Sequence, residues 1–427
     1  MPVVAKKILI QFQTMPDVYA NSTLIGTLDR QPDCTRFFYA QSVGSGHSIA
    51  LTMPACPNVE FDAPPPRPLV HPVFAMNLPE GALREEIVRM FAQTLPCDDD
   101  LALLEITGRS QIGRLRIVAS PSDLDSVRVP ATSLDNILKA KGADSGRIFH
   151  DLLQHHAHYS GISGVQPKLL VRDNGSLAPA GRPIIVPGTT HIIKFFEADK
   201  FPALAANEYL CLQAAKAAGI PVPEVLLSEN QQCLVIKRFD ANPDGSYLAV
   251  EDACSLENLQ PDYKYIGTYE QVAKTLALTI APGHLAEDMR AFFRTLVLSV
   301  IVRNGDAHRK NFSVVYNTRN DVRFSPAYDI ISTTPYIPKD TIALMLNGSK
   351  RWPGRKALIR FGINSCKLTQ REATEAIEQT REAVTRTREL LIAMRKDAAS
   401  TRAGHALATM LAAWEDGLWQ TREPSDG

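Results

Sequence analysis

Short runs of hydrophobic residues, separated by turn-forming residues, fill the first part of the chain. Segments such as KKILIQF, TRFFYA and SIALTM are apolar or alternating, and Gly, Pro, Asp and Asn break them. This pattern is typical of short β-strands joined by turns. The segment PEGALREEIVRMFAQTL instead has the apolar spacing of a helix, with a proline near its start. The pattern predicts a β-rich N-terminal subdomain with one helix over residues 1–125.

The pattern becomes mixed over residues 126–245. Helical spacing predicts one helix over Leu134–Ala140 and a second for GRIFHDLLQHHAHY. The strand predicted for HIIKFF carries one central lysine, Lys194, and the helix ALAANEYLCLQAAKAAGI follows with Gly219 at its natural end. The segment PEVLLSENQQCLVIKRFD then has the pattern of a strand, a turn and a strand. This alternation predicts an α+β lobe.

Over residues 246–427 the apolar residues are mostly spaced as in helices. A period of about 3.6 residues is visible in YEQVAKTLALTI, in LAEDMRAFFRTLVLSVIVRN and along the tract 368–420. The apolar run FFRTLVLSVIV is much shorter than the roughly 20 residues needed to span a bilayer. We therefore expect a helical C-terminal lobe. A chain of 427 residues is long enough for two or three domains of this kind.

Charge and cysteine content narrow the classes of function. The chain has 46 basic and 46 acidic side chains, and this balance argues against bulk electrostatic binding to nucleic acid or to an anionic membrane. Its 7 cysteines are scattered singly, without a CxxC pair, so neither a zinc ribbon nor a disulfide framework is indicated. Because such cysteines suit a reducing compartment and MPVVAKKILIQF lacks the features of a signal peptide, we expect a cytoplasmic protein.

One polar segment, VRNGDAHRKNFSVV, lies between two apolar runs and needs an explanation, since burying unpaired charge is costly. Within it, Asp306 and Asn311 have the D-x-x-x-x-N spacing of kinase catalytic loops. In that arrangement the aspartate accepts the proton of the attacking hydroxyl group, and the asparagine holds a metal ion. A loop after a buried helix suits this chemistry, because the scaffold fixes side chains that the loop exposes.

Other residues suited to phosphate transfer occur in the expected order along the chain. Asp329, in SPAYDIIS, would be a second ligand for Mg²⁺, a cation that prefers oxygen. Lys194 would reach the phosphates of ATP from its strand, and Glu208 on the following helix would pair with it. The two glycines of SGISGVQPK would let backbone N–H groups approach phosphate.

Each of these signals, taken alone, also fits an ordinary structural role. Asp306 with Asn311 fits turn chemistry, and Lys194 fits a lysine that extends from an edge strand. Asp329 fits a helix cap. The shared order is the stronger evidence, since five coincidences in kinase order are far rarer than one. The histidines of HHAHY look like metal ligands, but no carboxylate or cysteine lies nearby at ligand spacing.

Together these segments resemble the HipA-type serine/threonine kinase toxins of bacterial toxin–antitoxin systems. NGDAHRKNFS and SPAYDIIS are the most specific matches, and GISGVQPKLLV is similar to the phosphate loop of that family. LIGTL, SIALTMP and LLEITGRSQIGRLRIV match its N-terminal part in order, so the likeness covers nearly the whole chain. The resemblance implies an α+β, two-lobed, protein-kinase-like fold with a β-rich N-terminal subdomain and an all-helical C-terminal lobe.

The resemblance also implies ATP and Mg²⁺ as cofactors, together with a set of site residues. Asp306 would be the catalytic proton acceptor, and Asn311 and Asp329 would ligate the metal ion. The residues expected around the nucleotide are Gly164, Val165, Gln166, Pro167, Lys168, Lys194, Lys237, Arg238, Phe239, His308, Lys310, Asn311, Tyr328 and Asp329.

The chain departs from the family pattern at two places. Gly161 stands where the family often has a serine whose autophosphorylation ejects the phosphate loop and silences the kinase. Ser163 is the nearest replacement as an autophosphorylation site, and Ser160 is a weaker candidate. The segment expected to contact adenine often begins with an acidic residue, but here it begins with Lys237.

The expected function is a protein kinase that transfers the γ-phosphate of ATP to a serine or threonine of a host protein. Family analogy points to an aminoacyl-tRNA synthetase, whose inactivation would inhibit translation and growth, and to a small DNA-binding antitoxin as the partner through which DNA is mainly contacted. A small-molecule phosphotransferase is one alternative, because D-A-H-R-K-N also fits the D-x-H-x-x-N loop of such enzymes. A catalytically inactive regulator that binds only nucleotide or antitoxin is another. The full-length likeness disfavours the first alternative, and the complete set of polar residues disfavours the second.

Overall fold

The computed structural model describes most of the chain. It covers residues 15–423 except 33, 45–47, 57–58, 64–69, 93–98, 120–128, 142–143, 176–187 and 197. The strand expected for KKILIQF and the predicted boundary near residue 125 lie outside the described residues. The division into three regions stays a prediction.

The N-terminal region is built on an antiparallel sheet of five strands. In chain order these are β1 (Asp17–Ala20), β2 (Thr23–Arg30), β3 (Thr35–Tyr39), β4 (Glu60–Asp62) and β5 (Leu115–Val118). Their order in the sheet is β4-β3-β2-β1-β5. The sequence predicted one helix here, but the described residues of this region form three, α1 (Pro72–Ala75), α2 (Gly81–Met90) and α3 (Asp100–Thr107). Only α2 has clear amphipathic spacing; α1 is a single turn, and α3 is buried on all sides, so its sequence has no polar face.

A second five-stranded sheet forms the middle of the molecule. Its strands, in spatial order, are β6 (Ala131–Thr132), β7 (Lys168–Asp173), β8 (His191–Phe195), β10 (Cys233–Lys237) and β9 (Val225–Leu227). All neighbours are antiparallel except β6 and β7. The helices of this region are α4 (Leu134–Leu138), α5 (Asp144–His156) and α6 (Leu204–Ala217). Gly219 has φ +70° just after α6, which is the conformation that its predicted role at the helix end requires.

The C-terminal lobe is helical, as predicted, and also contains a small sheet. Its helices are α7 (Ala253–Leu256), α8 (Tyr269–Thr279), α9 (Leu285–Ile301), α10 (Arg355–Asn364), α11 (Gln370–Asp397) and α12 (Arg402–Gln420). The sheet consists of β11 (Ala249–Asp252), β12 (Ser313–Tyr316) and β13 (Arg323–Phe324). The predicted all-helical lobe therefore differs from the structure in one respect, because the lobe also contains this small sheet.

The packing of the two lobes places the polar segment beside a cleft. One hydrophobic core extends from the N-terminal sheet to the second sheet, and another surrounds α9 in the C-terminal lobe. Buried phenylalanines of the second core, among them Phe292, Phe293 and Phe312, fix α9 and the start of β12. The loop between these elements emerges where the lobes meet. Within the described residues, no helix is both long and apolar enough to cross a membrane.

Candidate active site

A cavity of about 890 Å³ lies between the lobes. Its walls come from all three regions of the chain: α2 and the residue before it, the loop before β7, strand β8, and the loop after α9. Of the predicted site residues, the cavity brings together Ser163, Gly164, Val165, Gln166, Pro167, Lys168, Lys194, Phe239, Asp306, His308, Lys310, Asn311, Tyr328 and Asp329.

The polar loop after α9 satisfies its backbone groups locally. Asn304 Oδ1 accepts a hydrogen bond of 3.0 Å from the N–H of Asp306, and Asn311 Oδ1 accepts one of 3.0 Å from the N–H of His308. Gly305 allows a close approach, because a β-carbon there would lie 2.0 Å from a carboxylate oxygen of Asp340. These bonds hold the loop so that the Asp306 carboxylate reaches the cavity.

The electrostatic environment of Asp306 favours a role as a base near neutral pH. Burial raises the pKa of this carboxyl to about 6, although a hydrogen bond from Tyr265 lowers it in part. His308 Nε2 lies 3.9 Å from Asp306 Oδ1. Burial lowers the pKa of His308 to about 3, so the imidazole is neutral at pH 7 and does not form an ion pair with Asp306.

Lys194 and Asp329 line the cavity, and Glu208, which pairs with Lys194, is fully buried beside it. We call these three side chains the deep cluster. Lys194 Nζ donates to Glu208 Oε1 at 2.6 Å and to Asp329 Oδ1 at 2.6 Å. Burial opposes the charge of Lys194, but the two carboxylates outweigh it and raise the pKa of the lysine. Burial alone would raise the pKa of Asp329, but Lys194 and Lys168 hold it well below its usual range. The predicted pairing of Lys194 with Glu208 is confirmed.

The loop before β7 has a backbone conformation that favours glycine. Gly164 has φ +120°, and a β-carbon there would lie 2.3 Å from Lys168 Nζ. Gly81, at the start of α2, has φ +52°, and a β-carbon on it would lie 2.7 Å from the carbonyl oxygen of Val165. A side chain at either position would displace the loop.

Lys168 is a buried cation that faces the cavity. No hydrogen bond or ion pair of its ammonium group occurs among the residues that the structure describes. Burial lowers the pKa of this lysine. An ammonium group in this setting favours an anionic ligand, because a bound anion would offset the cost of burying the charge.

A second group of polar and charged side chains also lines the cavity, and two of its members, Glu80 and Lys264, were absent from the sequence prediction. We call it the rim cluster: Glu80, Ser163, Lys264 and Lys310. Glu80 Oε1 lies 3.0 Å from Lys310 Nζ, and Glu80 Oε2 lies 3.3 Å from Lys264 Nζ. Ser163 Oγ donates to Glu80 and accepts from Lys310. Burial would raise the pKa of Glu80, but Lys310, Ser163 and Lys264 outweigh it and lower the pKa to about 2.

Two predicted nucleotide contacts, Lys237 and Arg238, do not line the cavity. The Lys237 ammonium group is exposed and lies 3.7 Å from a carboxylate oxygen of Glu224. Arg238 is buried elsewhere, since its guanidinium group pairs with Asp240 at 2.5 Å and stacks on Tyr247 at 4.3 Å. These two side chains point away from the cavity, and the predicted contact of this segment with the nucleotide stays a prediction.

Phe239, the third residue of the predicted adenine-contacting segment, does line the cavity. Its ring stacks on Tyr328 with centroids 5.8 Å apart. The Tyr328 hydroxyl donates to the carbonyl oxygen of Lys310 at 2.7 Å, which fixes the tyrosine against the polar loop after α9, the predicted catalytic loop. The pair forms an aromatic wall against which a planar base can pack.

The two predicted metal ligands, Asn311 and Asp329, lie in the same cavity. Both present oxygen, the element that Mg²⁺ prefers. Among the described residues, no group of three or more His, Cys, Asp or Glu side chains is arranged to hold a metal ion. The donor set still fits Mg²⁺, because this ion binds through one or two protein oxygens and completes its shell with water and substrate phosphates.

Comparisons with known proteins agree with this geometry. Residues 160–388 match a family model described as the HipA-like C-terminal domain, and residues 16–118 match the HipA N-terminal domain. A Sinorhizobium fredii protein named "Putative kinase Y4dM" is 31% identical over 301 residues, covering 66% of this chain and 67% of that protein. A second protein of the same organism, "Putative kinase Y4mE", is 26% identical over 339 residues, covering 74% of this chain and 78% of its own length.

A solved structure shares the fold. It is HipA of Shewanella oneidensis MR-1, determined in a complex with HipB and operator DNA. The two chains are 18% identical, and the match covers 94% of this chain and 97% of that one with a TM-score of 0.68. The fold class predicted from the sequence is confirmed.

Proposed function

Because the chain belongs to the HipA family of kinase toxins, we propose that it transfers the γ-phosphate of ATP to a serine or threonine of another protein. The observation that carries this proposal is that Asp306, Lys168, Lys194 and Asp329 line one cavity, with Glu208 paired to Lys194. A catalytic aspartate, a second aspartate for the metal ion and a lysine paired with a helix glutamate are recurring parts of protein kinases, and Lys168 adds positive charge for phosphate.

Each group in the cavity has a role in this proposal. Asp306 accepts the proton of the acceptor hydroxyl group as that oxygen bonds to the γ-phosphorus and the bond to ADP breaks. Lys168 and Lys194 hold the phosphate oxygens. Asn311 and Asp329 would hold Mg²⁺, which supplies positive charge to the phosphates when bound. Phe239 and Tyr328 would pack against adenine.

The decisive experiment follows labelled phosphate from ATP into protein. The purified chain is incubated with γ-labelled ATP, Mg²⁺ and a cell lysate, beside an Asp306→Ala variant and an Asp262→Ala control, which removes an exposed aspartate. We expect a labelled protein band with the wild type and the control, and none with Asp306→Ala. Mass spectrometry of the band identifies the acceptor and tests whether it is an aminoacyl-tRNA synthetase.

The other results of this experiment would point to the alternative functions. Label found only in small molecules would contradict a protein kinase and support a small-molecule phosphotransferase. Nucleotide binding without any Asp306-dependent transfer would support an inactive regulator.

Ser163 is the proposed autophosphorylation site. Its hydroxyl lies in the cavity between Glu80 and Lys310. Ser160 is fully buried, and its Oγ is held by the N–H of Leu170 at 2.9 Å. A serine does not fit at Gly161, because a β-carbon there would lie 2.5 Å from the side chain of Gln111. Phosphopeptide mapping of the chain after incubation with ATP tests this proposal, which fails if the loop never carries phosphate.

The proposed partner is a small, separately encoded DNA-binding antitoxin. The Shewanella oneidensis HipA is bound to HipB and operator DNA, and the zero net charge of this chain fits DNA contact made mainly by a partner. Size-exclusion chromatography with operator DNA tests the idea. We expect the chain to join the DNA only when the antitoxin is present, and direct binding by the chain alone would contradict it.

A further inference from the structure

The hydroxyl group of Tyr265 has a defined place beside Asp306. It donates a hydrogen bond to Asp306 Oδ1. The tyrosine ring meets the His308 ring edge to face, with centroids 5.0 Å apart. A hydroxyl that donates to a catalytic carboxylate makes the same contact as an acceptor hydroxyl about to lose its proton.

The backbone around Tyr265 is fixed to the catalytic loop. The N–H of Arg309 donates to the carbonyl oxygen of Lys264 at 3.1 Å, and Arg309 Nε donates to the carbonyl oxygen of Ile266 at 2.7 Å. The Lys264 side chain pairs with Glu80 in the rim cluster. The segment on either side of Tyr265 therefore moves only together with the catalytic loop.

The side chain of Tyr265, in contrast, can rotate away from Asp306. It is 43% exposed, and its hydroxyl has no other hydrogen bond within the described part of the chain. Rotation about the side-chain bonds would carry the phenol into solvent and free Asp306 Oδ1, at the cost of one hydrogen bond, the ring contact with His308 and a contact with Lys264 Nζ, 5.7 Å from the ring centroid. Because the phenol is tethered, its effective concentration at Asp306 is high, and a single water molecule competes poorly with it.

Exposed apolar side chains surround this position. Ile266 is 59% exposed and Tyr263 is 42% exposed, both on the segment that carries Tyr265. Phe201 and Ile337, which line the same cavity, are 46% and 55% exposed. A protein that binds these side chains would bring its own hydroxyl group to Asp306 at an effective concentration that matches that of the tyrosine.

We propose that the Tyr265 hydroxyl takes the place of the acceptor hydroxyl at Asp306 Oδ1 and holds that one position against water, on a side chain that is otherwise 39% exposed, until a bound protein acceptor displaces it. The inference rests on the proposed kinase activity. Tyr265 is then a positioning residue that selects for docked protein acceptors over water. The reaction that Tyr265 suppresses is ATP hydrolysis without a protein acceptor. In that reaction water attacks the γ-phosphorus, the bond to ADP breaks and Asp306 takes the proton of the water.

The test compares Tyr265→Phe with Tyr263→Phe. Tyr263 is a matched control, because it is similarly exposed on the same segment and its hydroxyl has no hydrogen-bond partner among the described residues. With ATP and Mg²⁺ but no protein acceptor, we expect kcat for ADP release to rise about tenfold in Tyr265→Phe, the size expected for loss of one hydrogen bond to a charged group. KM for ATP should not change, and Tyr263→Phe should match the wild type.

The double variant Tyr265→Phe with Asp306→Ala shows whether the gain passes through the carboxylate, and we expect it to lose the added hydrolysis. If ATP hydrolysis by Tyr265→Phe is unchanged or slower, the inference about Tyr265 is wrong. The kinase proposal is still supported in that case if the wild type labels protein in an Asp306-dependent way. Phosphate found on Tyr265 itself would also overturn it, since the tyrosine would then be an acceptor. Absence of any Asp306-dependent transfer from the wild type would overturn both.

Discussion

The deep cluster and the rim cluster lie in the same cavity and have opposite composition. In the deep cluster, one lysine stands between two carboxylates; in the rim cluster, one carboxylate stands between two lysines. Carboxyl groups therefore outnumber lysines in the first cluster, although Lys168 also acts on Asp329, and lysines outnumber the carboxylate in the second. A site for a metal ion beside a site for phosphate needs this division, because each cluster then attracts a different part of a metal–nucleotide complex.

The two clusters also differ in how they are held. In the deep cluster, Lys194 comes from the middle of β8 and Glu208 from α6, and the side chains of both are at most 5% exposed. The rim cluster joins a loop serine, the residue before α2 and two lysines of the C-terminal lobe. Glu80 in the rim cluster and Asp329 in the deep cluster are each 27% exposed, so the difference in burial lies in Lys194 and Glu208. We therefore expect substitutions in the deep cluster to affect mainly folding, and those in the rim cluster to affect mainly ligand binding.

The largest effect should come from Lys194→Met. It leaves Glu208 and Asp329 close together without their cation, and breaking a buried ion pair in this way costs about 3–5 kcal/mol of the free energy of unfolding. Lys237→Met is the control on the same sheet, because its ammonium group is exposed and an exposed pair contributes at most about 1 kcal/mol. Urea denaturation measures both. Equal stability of the two variants would contradict the contrast between the clusters.

Gly81→Ala tests the loop on which the rim cluster depends. A non-glycine residue at φ +52° costs about 1–2 kcal/mol, and the added methyl group would also push the carbonyl of Val165. We expect a lower melting temperature and weaker ATP binding. Gly283→Ala should leave both unchanged, because nothing lies within 4 Å of a β-carbon there. Normal ATP binding by Gly81→Ala would show that the loop tolerates displacement.

The pH dependence of the phosphate-transfer rate distinguishes the titration of Asp306 from that of Glu80 in the rim cluster. The pKa of Asp306 is raised to about 6, so its basic form is present above that pH and is lost below it. We expect the rate to fall about tenfold for each pH unit below 6. Glu80, with its pKa lowered to about 2, stays ionised over this range and contributes stability that is lost only as the pH falls from about 4.5 towards 2. A rate that stays level down to pH 4.5 would exclude Asp306 as the titrating base.

The smallest effect should come from Glu80→Gln, measured by calorimetric titration with ATP. The change removes the carboxylate between Lys264 and Lys310, so the positive excess near the phosphates grows. We expect ATP to bind about fivefold more tightly, which corresponds to about 1 kcal/mol. Glu382→Gln, which changes an exposed glutamate of α11, is the control. Weaker binding by Glu80→Gln would indicate that Glu80 positions the lysines rather than competing with phosphate.

The sequence predicted the deep cluster better than the rim cluster for a physical reason. Lys194 and Glu208 follow each other in a strand and the next helix, so local periodicity places them, and Asp329 stands out as a charge in an apolar run. Glu80 lies 83 residues from Ser163 and 230 from Lys310. Nothing in the residues around Glu80 indicates a charged partner, because such contacts arise only when the lobes pack.

The direction in which a side chain points also could not be predicted from the sequence. The segment Lys237–Phe239 begins at the last residue of β10, yet only Phe239 faces the cavity. Arg238 turns away because Asp240, two residues on, offers it a buried partner. Similarly, the helical tract 368–420 is two helices, since Thr401 caps a new helix after Ala398 ends the first. Patterns of apolar residues place elements in the fold, while the pairing of polar groups sets their ends and contacts.

The span of the rim cluster has a consequence for the cell that makes this protein. A chain that grows at roughly 5–20 residues per second needs roughly 10 to 50 s to extend from Glu80 to Lys310, 230 residues later. Once β5 has been made at Val118, the N-terminal sheet is fully synthesised, but for the rest of that interval the cavity lacks one wall. Fragments left by interrupted translation at that stage would have no complete site, so this distance in the chain keeps unfinished molecules inactive.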